Sequence, residues 1–194
     1  EVTRFMEENG MGKQVQFSEG DLLAMANLQH PFQLMLAVLD KDLQRDYQSV
    51  VGSRGAFTPI EYLTRDWARF GLEGEIVEGG LWCRLGFGNL AVGGNPRLFI
   101  TLQVKPEQQY GSDRFLRVKL IEMMKDILAK RSGWGGWGLD DPREYSGIQK
   151  DCNLRELLPS AEIEDDCKAV LHGYLEELKE IKRNYSHIPW KTND

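Results

Sequence analysis

The sequence predicts an α+β fold: an antiparallel sheet of three to four strands packed against amphipathic helices. Between Leu72 and Pro106, runs of alternating residues are separated by glycine-rich turns, which is the period of strands joined by hairpins. On either side of that stretch apolar residues recur at intervals of three and four, the spacing of helices with one buried stripe. Both kinds of element have a single apolar side, so each needs the other to bury it.

Size permits this in one body. A chain of 194 residues, 41% hydrophobic and 28% charged, can bury a core without disulfides or metals. Residues 1–17 are polar with two glycines and read as an arm or the end of a linker, with residues 18–194 as a single α+β domain. The first residue is Glu1 rather than methionine, so a larger parent chain with flanking domains is expected.

Taken in order, Ser18 is placed to cap a first helix, which Pro31 interrupts. A second helix is expected from Pro31 to Val50, with Phe32, Leu36, Leu39, Leu43, Tyr47 and Val50 on one face. Leu34 and Val38 add apolar positions on its back, from burial on both sides or from a dimer contact. Thr58-Pro59-Ile60-Glu61 is a capping box opening a third helix to Phe70, on which Arg65, Asp66 and Arg69 read as solvated charges.

The sheet follows. Leu81, Cys83, Leu85 and Phe87 share one face with Leu98, Ile100, Leu102 and Val104, and this is the expected core face. The opposite face carries Glu73, Glu75, Trp82, Arg84, Phe99, Thr101, Gln103 and Lys105. Gly88-Asn89 and Gly93-Gly94-Asn95 supply the positive φ angles of tight turns. Leu72 to Glu78 has the weakest alternation of the three runs.

Ser112-Asp113 caps a helix to Arg131 whose apolar arc contains Leu116, Leu120, Ile121, Met124, Ile127 and Leu128. Arg117 falls inside that arc, with its stem packed and its guanidinium reaching water or a carboxylate, or else as an anion-binding residue. Gly133 to Gly138 reads as a short fourth strand, or as a loop that offers Trp134 and Trp137 to a partner or uses both to plug the core. Asp151 to Leu158 is expected as a short helix and Ser160 to Tyr185 as a long one, with Ile188-Pro189-Trp190 tucking back onto the body.

Several chemistries lack their residues. Cys83, Cys152 and Cys167 stand far apart without the spacing of a zinc site, and His30, His172 and His187 have no nucleophile at a recognisable interval. No metal or cofactor is therefore expected in folding, and the free thiols suit a reducing cytoplasm. The longest apolar runs fall short of a membrane span. Neither a phosphate-binding glycine loop nor a nucleophile elbow occurs.

Glu75 together with Gln103-Val104-Lys105 resembles the catalytic pattern of PD-(D/E)XK nucleases. That resemblance implies a magnesium-dependent nuclease in which Glu75 and Gln103 hold the ion and Lys105 helps activate water. The residues themselves favour a different reading, a non-enzymatic binding or regulatory domain of a larger intracellular system. Its expected contacts are Trp82, Arg84, Phe99, Lys105, Trp134 and Trp137, because aromatics and arginine mark interaction surfaces. A protein partner or a second copy of the chain fits the net charge of −6 better than nucleic acid does. Nucleic acid would have to use the stretch from Arg97 to Arg131, with eight bases against four acids, and avoid Leu139 to Asp166, with nine acids against three bases.

Overall fold

The computed structural model describes residues 32–52, 56–57, 69–90, 95–111, 113–157 and 160–191. The chain divides into two compact units, 1–36 and 37–194. Of the first, the described residues 32–36 are helical. The expected arm, the Ser18 cap and the boundary between 17 and 18 lie outside the described residues, as does the capping box at Thr58.

The helix expected from Pro31 to Val50 is broken at Leu39 and Asp40. Asp40 turns its carboxylate onto the amides of Asp42 and Leu43 at 3.0 and 2.9 Å, starting α1 (Lys41–Val51) afresh. A short acid that can bond its own downstream amides competes with helix continuation and wins here. Gly52, at φ +73, closes α1 in a left-handed conformation. Val38 is fully buried within the chain.

Among the described residues the sheet has six strands: β1 (Ala56–Phe57), β2 (Arg69–Val77), β3 (Leu81–Gly88), β4 (Arg97–Val104), β5 (Trp134–Trp137) and β6 (Ser146–Asn153). Their order is β1-β2-β3-β4-β6-β5, with every neighbouring pair antiparallel. The β2-β3-β4 meander is the one the alternation predicts, and Gly79 supplies the positive φ at its first turn. Arg69 and Phe70, expected at the end of a helix, open β2 instead.

A 3-10 turn (Glu107–Tyr110) leads into α2 (Arg114–Lys130), capped by the Asp113 carboxylate on the amide of Leu116. The chain then returns as β5 on the far side of β6, so that β4 and β5 run parallel with β6 between them. Strand β6 corrects the expected helix from Asp151 to Leu158, of which only α3 (Leu154–Leu157) remains. Ile148 is the one aliphatic residue of β6, and its pairing on both sides makes it a strand that its own alternation does not announce. The last helix, α4 (Ile163–Asn184), starts three residues after Ser160, whose hydroxyl accepts from the amide of Glu162.

Across the core face, Leu81, Cys83, Leu85, Phe87, Leu98, Ile100, Leu102 and Val104 are completely buried. Leu43, Tyr47 and Val50 of α1, Leu120, Met124 and Ile127 of α2, and Leu171, Leu175 and Leu178 of α4 complete that core. Each such side chain contributes on the order of 1.5–3 kcal/mol of transfer free energy. The Tyr47 hydroxyl, deep in this layer, donates to the Cys83 carbonyl at 2.8 Å, so no polar atom is stranded there. Burial pushes the Cys83 thiol up to about 12, leaving it a small apolar residue.

The chain end returns to the sheet as expected. Ile188 is buried, Trp190 bridges to Val77, and the Lys191 amide donates to the Ile76 carbonyl at 2.8 Å. Lys182 of α4 ties the return down by donating to the carbonyls of Val50 and Lys191.

Candidate functional site

Because alternate residues of a strand face opposite ways, the buried set above forces a second set onto the reverse of the sheet. The pairing arranges it in rows: Glu75, Trp82 and Gln103 in one, Glu73, Arg84 and Thr101 in the next. Arg84 organises the middle. Its Nε donates to Glu73 Oε2 at 2.6 Å, its Nη2 reaches Glu73 Oε1 at 3.3 Å, and its Nη1 donates to Gln103 Oε1. The planar fork fixes two neighbours at once and meets the Glu73 carboxylate with two parallel nitrogens, a geometry that a single ammonium does not offer.

Lys105 lies 5.8 Å from the centre of the Trp82 ring, within cation–π range. Tyr145 stands one residue beyond the Val104–Ser146 pair, as Lys105 does on the other strand, and is 48% exposed. Glu73, Trp82, Arg84, Gln103, Lys105 and Tyr145 line a recess of about 200 Å³.

Arg117 supports this recess from behind. Its guanidinium is buried and donates to the carbonyls of Lys105 at 2.9 Å, Asp141 at 3.2 Å and Glu144 at 3.4 Å, and to Ser146 Oγ at 2.9 Å. Among the described residues it pairs with no carboxylate. Carbonyl dipoles solvate the charge, and the backbone that carries Lys105 and Tyr145 is clamped as a result.

Three residues of the nuclease pattern fall on this face without converging. Glu75 and Gln103 sit on either side of β3, two strand spacings or about 10 Å apart, with Trp82 between them. Glu75 accepts from the Gly79 amide at 2.8 Å and pairs with Lys191 at 2.7 Å. Among the described residues no group of three or more His, Cys, Asp or Glu side chains gathers to hold a metal. No family model, characterised protein or solved structure matches this chain. The site therefore has to be read from its own geometry.

The six contacts expected from the sequence separate into three environments. Trp82, Arg84 and Lys105 stand together at the recess. Phe99 shares their face but is buried, its ring laid over Gly88, where a Cβ would come within 2.9 Å of it, and Arg69 over it at 5.4 Å. It forms the floor of a second recess, about 240 Å³, lined also by Arg69, Asn89, Arg97 and Gln149. Arg97 there pairs with Asp151 at 2.5 Å.

The two tryptophans of β5 point opposite ways. Trp134 joins the core side, where its Nε1 donates to Glu177 at 2.8 Å beside Lys150 at 2.7 Å and Arg131 at 3.6 Å. Burial pushes the Glu177 carboxyl up, but hydrogen bonds from Lys150 and Trp134, with the charges of Lys150 and Arg131, outweigh it and hold the group below the ordinary glutamate value. Trp137 lies on the recess side, 38% exposed, its ring over Gly147. Sequence reasoning missed Tyr145, which sits in a loop with no period, and the clamp by Arg117, whose only signal was a charge inside an apolar arc.

Proposed function

We propose that the protein is a non-enzymatic binding module of a multi-component system, and that it engages a protein partner through the recess side of its sheet. The observation that carries this reading is a cluster of half-exposed Trp82, Arg84 and Lys105 on the sheet, with exposed Trp137 and the adjoining loop residue Tyr145, backed by the buried Arg117 clamp. Large aromatic and guanidinium groups held in place lose little entropy when a partner covers them. Four basic residues on this face, Arg69, Arg84, Arg97 and Lys105, stand among Glu73, Glu75 and Asp151, a balance that suits a protein surface better than a polyanion. Three unpaired thiols support a reducing, cytoplasmic setting. No helix among the described residues is long and apolar enough to cross a membrane.

The test is capture of partners from a lysate of the source cells by wild type, Trp82→Ala and Trp137→Ala, alongside a magnesium-dependent DNA cleavage assay with Lys105→Ala. Loss of one specific protein from both tryptophan variants is the expected result. Capture that both substitutions leave unchanged removes this face from the reading, and cleavage abolished by Lys105→Ala replaces the module with the nuclease.

A further inference from the structure

The charges around the Trp82 recess do not balance. Glu73 is taken by Arg84, and Glu75, the next acid on this face, by Lys191. Arg84 is committed in turn, since the nitrogen that Glu73 leaves over donates to Gln103. Lys105 is half-buried and, among the described residues, pairs with no carboxylate; its ammonium lies over the Trp82 ring. Behind it, the buried Arg117 guanidinium reaches the carbonyls of Lys105, Asp141 and Glu144 and the Ser146 hydroxyl. The Asp141 carboxylate turns away to Arg143 at 3.2 Å. Two cations are thus linked through the Lys105 backbone, and neither is paired with an acid among the described residues.

Resting on the reading of this face as the partner side, we infer that the recess takes an acidic residue of the partner protein set beside an aromatic or large aliphatic one. The partner's carboxylate meets the Lys105 ammonium, and its apolar neighbour lies against Trp82 and Tyr145. A half-buried cation without a counter-ion gains more from an incoming carboxylate than a fully solvated lysine does, because water and salt screen it less. Arg117 adds attraction of the same sign from beneath. One reachable ammonium suits a single negative charge. A phosphate, with about two negative charges, calls for a second cation, and Arg84 is already committed to Glu73 and Gln103. A nucleic acid would draw a row of phosphates past Glu73, with Lys105 alone to meet them.

Position selects the apolar companion. Lys105 and Tyr145 follow the Val104–Ser146 pair on neighbouring strands, and Trp82 pairs with Gln103, two residues before Lys105 on the same face. The ammonium therefore has an aromatic ring on the β3 side and another on the β6 side. Next to Gln103 in the same row stands Gly147, which has no side chain, and the Trp137 ring lies over it. An apolar side chain entering beside the carboxylate thus meets ring faces in both directions across the sheet. Arg117 holds the Lys105 carbonyl at 2.9 Å and the Glu144 carbonyl, which leads into Tyr145, at 3.4 Å. Cation and rings are placed before the partner arrives, so that little freedom is lost on binding.

Selection from a random-peptide phage library on the immobilised full chain tests the inference, with wild type, Lys105→Glu and Trp82→Ala as baits. Wild type is expected to enrich peptides in which Asp or Glu stands next to an aromatic or large aliphatic residue. An enriched peptide, synthesised and titrated, should bind Lys105→Glu at least about tenfold more weakly and should lose affinity as salt is added. Lys105→Glu as bait should enrich Lys or Arg in place of the acid. If Lys105→Glu does not fold, Lys105→Met, which keeps the length without the charge, should show the same loss for the acidic peptide. Peptides without an acid, acidic peptides that bind the Lys105 variants as well as wild type, or no enrichment at all would overturn the inference. So would single-stranded DNA that binds in their place and is lost on Lys105→Glu. The two readings fail separately: acid-free peptides that Trp82→Ala rejects remove only the carboxylate, whereas peptides indifferent to both Trp82→Ala and Trp137→Ala remove the face itself.

Discussion

On one side of the sheet Leu85 lies between Leu72 and Ile100, all three excluded from water; one residue along, on the other side, Arg84 lies between Glu73 and Thr101 and is held by directional bonds. The first row would be stable in almost any mutual orientation that keeps water out, since apolar burial has no preferred direction. The second depends on angles and on which oxygen each nitrogen meets. Non-directional burial and directional bonding are thus assigned to opposite faces of the same strands.

The largest way to break this division is from the core side. Phe87→Ala should cost about 3–5 kcal/mol, read as a fall in the urea midpoint, because the cavity lies where several elements meet and cannot collapse fully. Nearly as large is Arg117→Ala, at about 3 kcal/mol, because three carbonyls and a hydroxyl lose a buried partner. Arg117→Lys should recover only part of that, since one ammonium cannot span Lys105, Asp141 and Ser146 together. A full recovery in thermal unfolding would show that the fork geometry is dispensable.

A smaller effect sharpens the comparison by pH. Glu177 is held below its ordinary value of 4.5, so the stability it contributes is complete above that value and is lost as the pH falls through the lowered folded value. Below pH 4.5 wild type should therefore lose stability more steeply than Glu177→Gln, and equal slopes in acid unfolding curves would exclude the contribution. At neutral pH the same substitution should cost about 1–2 kcal/mol, through Lys150 and the Trp134 indole. The smallest effect belongs to the recess: Trp82→Ala should change the unfolding free energy by no more than about 1 kcal/mol while abolishing partner capture. A loss of several kcal/mol would mean that this face carries the fold as well.

The sequence makes the core side more legible than the recess. Leu81, Cys83, Leu85 and Phe87, and Leu98, Ile100, Leu102 and Val104, are apolar at every second position, so the buried face follows from the period although Trp82 and Phe99 interrupt the polar side. Residues 146–153 carry one aliphatic side chain, and their strand exists because β4 and β5 flank it, a non-local cause that no window of sequence contains. The recess residues Trp82, Arg84 and Lys105 could be placed together by alternation, but the burial of Phe99 depends on Gly88 one strand away and on Arg69, which the helix pattern had claimed. Arg117 was visible as an anomaly. Three of its four partners, on Asp141, Glu144 and Ser146, are brought to it by the return of the chain through β5 and β6.

The return of Trp190 and Lys191 along β2 also works as a cover for exposed backbone. Lys191 holds the Ile76 carbonyl and the Glu75 carboxylate, which keeps that stretch of β2 out of reach of another chain. Deleting residues 189–191 should leave that stretch of β2 open to another chain, and light scattering that rises with concentration would record the change.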